Sequence, residues 1–76
     1  MDIHTFAPWR TMDALRRAAL AARARTGDDA IGTQVASGRV DIVRVTYTPK
    51  GRGVVTVLQR CPNVGIALSA LARMGA

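Results

Sequence analysis

Apolar residues along the chain follow two different periods, and the change between them divides it into elements. MDIHTFA (1–7) reads as an extended lead-in, of the kind that forms a short edge strand. From there Met12, Leu15, Ala19 and Ala22 recur at helical spacing, with Leu20 beyond the stripe. Arg16 and Arg23 flank that stripe, and Arg10, Arg17 and Arg25 face away among Ala14 and Ala21. The pattern predicts a helix that starts within 8–12, at Pro8 or after Thr11 as N-cap, and stops at Thr26-Gly27. Asp13 is expected in its first turn, paired with Arg17 four residues on.

After the polar Gly27-Asp28-Asp29 loop the period becomes two. Residues 30–36 are weakly strand-like, and Ser37-Gly38 suits a tight turn. RVDIVRVTYT (39–48) and GVVTVLQR (53–60) are β-branched almost throughout. Thr48-Pro49-Lys50-Gly51 between them fits a type I turn with Gly51 at positive φ, which closes a hairpin with a bulge. VGIALSALARM then forms a second helix, started by Pro62 or Asn63 and ended by Gly75. Its expected core stripe is Val64, Ala67, Leu68, Leu71 and Met74. The fold class is therefore α+β: one small α-β-β-β-α domain over 1–76, with two helices packed on one face of an antiparallel sheet.

Setting Thr48 opposite Arg52 sorts the hairpin into two faces. Val43, Val45, Tyr47, Val55 and Val57 fall on one, with Asp41 and Gln59 at its far end. Val40, Ile42, Arg44, Thr46, Thr48, Arg52, Val54, Thr56, Leu58 and Arg60 fall on the other. The valine-rich face is expected to lie under the helices. The mixed face, half apolar and set with arginines, is then left uncovered.

Composition narrows the functional classes. In 76 residues, Lys and Arg number 11 against 5 acids, a net charge of +6. Ten of the basic residues are Arg, all acids are Asp, and Ala supplies 13 positions. A GC-rich coding bias accounts for Arg over Lys but not for the scarcity of acids, so the sign of the charge points to an acidic partner. Leu, Ile, Val and Phe total 18, a small core, and cores of this size net only about 3–5 kcal/mol. Burial of further surface on a partner or a second copy would add to that. The sequence has no secretory h-region and no apolar run of about 18 residues, so no membrane span is expected. A lone cysteine, Cys61, makes no internal disulfide, and the expected compartment is cytoplasmic.

Catalytic chemistry has little footing. His4 is the only histidine, Cys61 has no evident base, and Asp28-Asp29 is polar punctuation at a loop. No catalytic residue, cofactor-binding residue or metal ligand is assigned, and Cys61 is expected to pack as a small apolar side chain before the second helix. PKGRG joins two strands and lacks the phosphate-loop spacing. Lys50 and Arg52, at the hairpin tip, suit phosphate or carboxylate contacts. With Arg10, Arg17, Arg25, Arg44 and Arg60 they make the candidate partner-binding set.

The α-β-β-β-α plan resembles the double-stranded RNA-binding domain over most of the chain. That family grips phosphates with lysines at the start of its second helix. Here the corresponding stretch, CPNVGIALSA, holds no basic residue before Arg73, so the grip does not carry over. Trp9, Phe6 and Tyr47 are the only aromatics, too few for a base-stacking platform. In size and plan the chain also resembles small inhibitors carried by phages and mobile elements, the anti-CRISPR proteins among them. That resemblance implies a non-enzymatic protein that docks on an acidic protein or nucleoprotein target, such as a CRISPR effector complex, and blocks it. Direct RNA or DNA binding through phosphates is the alternative, and a homodimer through the uncovered face is a further expectation.

Overall fold

The computed structural model describes the backbone of residues 8–76 and side chains from Thr11 onward. The expected extended lead-in lies outside the described residues. Helix α1 spans Pro8–Thr26, strands β1 Ile31–Ala36, β2 Arg39–Tyr47 and β3 Gly53–Cys61 follow, and helix α2 is Val64–Arg73. The three strands form one antiparallel sheet in the order β1-β2-β3, so the α+β domain expected from the pattern is present. No helix among the described residues is long and apolar enough to cross a membrane.

Local chemistry fixes the element ends. Pro8 occupies the first helical position, where its missing N–H costs nothing. This early start places Asp13 in the second turn of α1 rather than the first, and there it pairs with Arg17 at 2.8 Å. Gly27, at φ 76°, ends α1 and donates its N–H to the Arg23 carbonyl at 2.8 Å. Ser37 and Gly38, at φ 45° and 78°, make the tight β1–β2 turn. Gly51 adopts φ 84° and donates to the Thr48 carbonyl, while the Thr48 N–H donates to Arg52, which closes the β2–β3 turn as the sequence predicts. Asn63 caps α2, its side chain accepting from the Ile66 N–H at 2.9 Å.

The core lies between the two helices and one face of the sheet. Leu15 and Ala22 of α1, Ile31 of β1, Val40 and Ile42 of β2, Cys61 of β3, and Ala67 and Leu71 of α2 form one buried cluster. Val64, Leu68 and Met74 pack against it, as the α2 stripe predicts. Met12 of the predicted α1 stripe stands exposed instead, and Ala18, partly buried, packs against the core.

Two expectations about the sheet are overturned together. The helices cover the face of Val40 and Ile42, not the valine-rich one; of that second face Val43 is buried, and Tyr47, Val55 and Val57 stay exposed. The reason is geometric: the period of two assigns residues to faces, but the connections to α1 and α2 choose which face they cover. The register also differs. Tyr47↔Gly53 through Val43↔Val57 follow the turn, but Ile42 then pairs with Gln59, leaving Leu58 as an extra residue in a β-bulge. The shift sets Cys61 opposite Val40 and Arg60 opposite Asp41. Cys61 is thereby buried in the core, and Arg60 moves to the open face.

Candidate functional site

The guanidinium groups do two kinds of work, and the division follows the supply of acceptors. On the α1 and β1 side nearly every basic group has a local partner. Asp13 pairs with Arg17 and, at 3.5 Å, with Arg16. Arg23 donates from Nε to the Ile31 carbonyl at 2.6 Å, which ties α1 to the start of β1. Arg25 donates to the carbonyls of Leu71 at 2.6 Å and Met74 at 3.0 Å, so it closes the C-terminal end of α2. Arg44 reaches from β2 to Asp28 at 2.9 Å. The Asp28 carboxylate also accepts from the Ala30 N–H. The Arg44 hydrogen bond first, and the Ala30 N–H second, hold its carboxyl below its ordinary pKa of 3.8.

Arg39 pairs with Asp41 at 3.2 Å on the open face. Asp41 is almost fully buried although no helix covers it. Arg39 lies two residues before it on the same face, and β3 sets Arg60 directly opposite. The aliphatic stems of such neighbours shield a short carboxylate from water.

The other basic residues among those described lie at the hairpin tip, on β3 and in the last turn of α2. Lys50, Arg52, Arg60 and Arg73 make no ion pair with another described residue. Lys50 and Arg52 line a shallow concavity with Thr48 and Pro49 at the hairpin tip. Arg60 lies near the other end of β3. Arg73, in the last turn of α2, lines a shallow depression with Gln59, Ala70 and Met74. The surplus positive charge therefore brackets β3. A sequence signal for this exists: the chain has no acidic residue after Asp41, so basic groups in 42–76 must reach back to earlier acids for a partner. Only Arg44 does so. Arg73, absent from the candidate set, belongs with this group on the same ground.

Of the seven candidate partner-binding residues, the structure brings Lys50, Arg52 and Arg60 to one strand and its turn. Arg17, Arg25 and Arg44 are held in contacts within the domain, and they do not form one surface with the others. The Arg10 side chain lies outside the described residues.

The charged groups frame an apolar surface. From Gly53 to Arg60, β3 is exposed at every position, and it forms a sheet edge. Val55 is 51% exposed and Tyr47 72%. The distal half of the hairpin is open on both sides, since Thr46, Val54 and Thr56 of the helix-side face are also exposed. No three His, Cys, Asp or Glu side chains gather into a metal-binding group among the described residues. Comparison with protein-family models, with curated proteins and with solved structures finds no match to this chain.

Proposed function

We propose that this domain is a non-enzymatic binding protein that docks through the β2–β3 hairpin on an acidic protein or nucleoprotein surface and blocks its function. One observation carries the reading: Lys50, Arg52 and Arg60, which make no ion pair with another described residue, lie at β3 and its tip, around apolar residues that stay exposed. Apolar surface bordered by charge suits a docking patch, in which burial gives affinity and charge selects and orients the partner. The resemblance to anti-CRISPR inhibitors supplies one candidate target, a CRISPR effector complex. A basic docking surface suits the acidic protein or the nucleic acid of such a complex, and it is opposite in sign to a DNA mimic.

Charge reversal at Lys50, Arg52 and Arg60 tests the surface. The triple variant K50E/R52E/R60E should keep its fold and lose binding to poly-glutamate, whereas R17E, on α1, should retain it. Retention by the triple variant sinks the reading. Mobility shift against duplex DNA and RNA over a salt series decides the nucleic-acid alternative. A low-salt shift that weakens steeply with salt would favour phosphate binding. In cells carrying an active CRISPR effector, the wild-type chain should suppress interference and the triple variant should not.

A further inference from the structure

The open edge of β3 carries more than charge. The Val45 N–H donates to the Ala30 carbonyl at 2.9 Å, on the β1 side of the sheet. In an antiparallel pair, a residue bonded to one neighbour has both backbone groups turned away from the other. Val45 and its partner Val55 are thus a non-bonded pair, and the N–H and C=O of Val55 face away from β2. By alternation the same holds for Gly53, opposite Tyr47, and Val57, opposite Val43. These groups form a row along an exposed strand that no helix or loop among the described residues covers.

Resting on the docking function above, we propose that the β3 edge takes up an extended acidic peptide segment of a partner protein as a fourth strand of the sheet. The Gly53, Val55 and Val57 backbone groups would supply the ladder bonds, the mode by which exposed edges capture peptides. Val55 and Val57 on the open face, and Val54 and Thr56 on the other, would flank the added strand's side chains. Arg52 before the strand and Arg60 near its end would meet carboxylates at the two ends of the segment.

Charge selects this occupant over a second copy. A two-fold pairing that uses all three outward-facing residues of both chains is centred on Val55. It lays the hairpin tip of each chain, with Lys50 and Arg52, beside the Arg60 end of the other's β3, and each copy brings a net charge of +6. Like charges brought together in this way oppose the pairing. An acidic strand meets the same positions with the opposite sign.

The probe is a synthetic peptide, acetyl-Glu-Val-Thr-Val-Thr-Val-Glu-amide. Two further versions carry N-methyl groups on alternate amides, odd or even, and a last one has Lys in place of Glu. Binding is read by fluorescence anisotropy and by amide hydrogen exchange. The Glu peptide should bind and slow exchange at Gly53, Val55 and Val57. One methylation pattern, the Lys replacement and R52E/R60E should each weaken it by at least about tenfold, while the other methylation pattern is tolerated. Equal binding of both methylated peptides would overturn strand addition while leaving docking by charge intact. Equal binding of the Lys peptide would overturn the acidic class. Binding unaffected by R52E/R60E would remove both the strand and the docking reading. Failure of the Glu peptide to bind, or protection of the edge only by duplex DNA or RNA, would reject the acidic strand. So would a concentration-dependent dimer of the chain alone that protects the same amides.

Discussion

Arg25 and Arg52 are the same side chain with opposite fates, decided by the acceptors within reach. Arg25 lies where the end of α1 meets the end of α2, and it donates to two carbonyls there, that of Leu71, which also accepts from the Met74 N–H, and that of Met74. Arg25→Ala should lower the urea midpoint with the slope unchanged, a loss of about 1–2 kcal/mol for bonds from a charged donor at a partly exposed site. Lys at the same position should restore less than half, because a single ammonium lacks the planar fork. Helical spacing places Arg25 on an outward face and says nothing of a second helix ending beside it. Asp28 makes a second test. Its folded-state carboxyl is held below the ordinary value by Arg44 and the Ala30 N–H. Its contribution is therefore fully present above the unfolded pKa, and it is lost as pH falls through the lowered one. Stability of the wild type should fall over that acidic window, and Asp28→Asn should flatten this part of the profile in unfolding curves taken across a pH series.

Among the elements, both hairpin turns, both helix ends and the α2 stripe were legible because each depends on neighbouring residues. Asn63, Gly51 and Ser37-Gly38 act within a few positions of themselves. The faces of β2 and β3 were legible as sets, but their destination was not. Val43, Val45, Val55 and Val57 have the composition of a core face, yet Ile42 and Val40 meet the helices. The two assignments predict opposite mutational patterns. Ile42→Ala should cost about 2–5 kcal/mol, as for a filled core site. Val55→Thr, on the open face, should change stability by no more than about 0.5 kcal/mol. Equal losses at the two sites, by urea or thermal unfolding, would refute the arrangement. The bulge at Leu58 was also beyond the pattern, because an unbroken β-branched run fits a regular ladder equally well. Its consequence is specific: it brings Cys61 under the helices and leaves Arg60 facing out.

At the scale of the molecule the domain divides into a packed end and a projecting one. The Cα radius of gyration is 13.3 Å, with extents of 49 × 28 × 18 Å, where a compact chain of this length is expected near about 11 Å. The distal residues of the hairpin are exposed on both faces. Cys61 marks the packed end, fully buried where both helices meet the sheet. Its thiol should react with a disulfide reagent only as fast as the domain opens, with urea accelerating labelling in step with global unfolding. Fast labelling in native buffer would contradict that packing. Acids after Asp41 are absent, so Lys50 and Arg52 carry positive charge at the projecting end, and Arg60 and Arg73 carry it beside the packed one.

The sequence by itself determined the element order, the antiparallel hairpin, the identity of its turn residues and the sign of the charge. These depend on backbone preferences, on periodicity and on simple counting, all of them local or additive. Tertiary structure alone decided which sheet face the helices cover, where the bulge falls and which arginines are already engaged. Those outcomes depend on contacts between residues far apart in the chain, such as Arg25 with Leu71 and Arg44 with Asp28. A side chain's chemistry is written in the sequence; whether a partner inside the fold has already taken it is not.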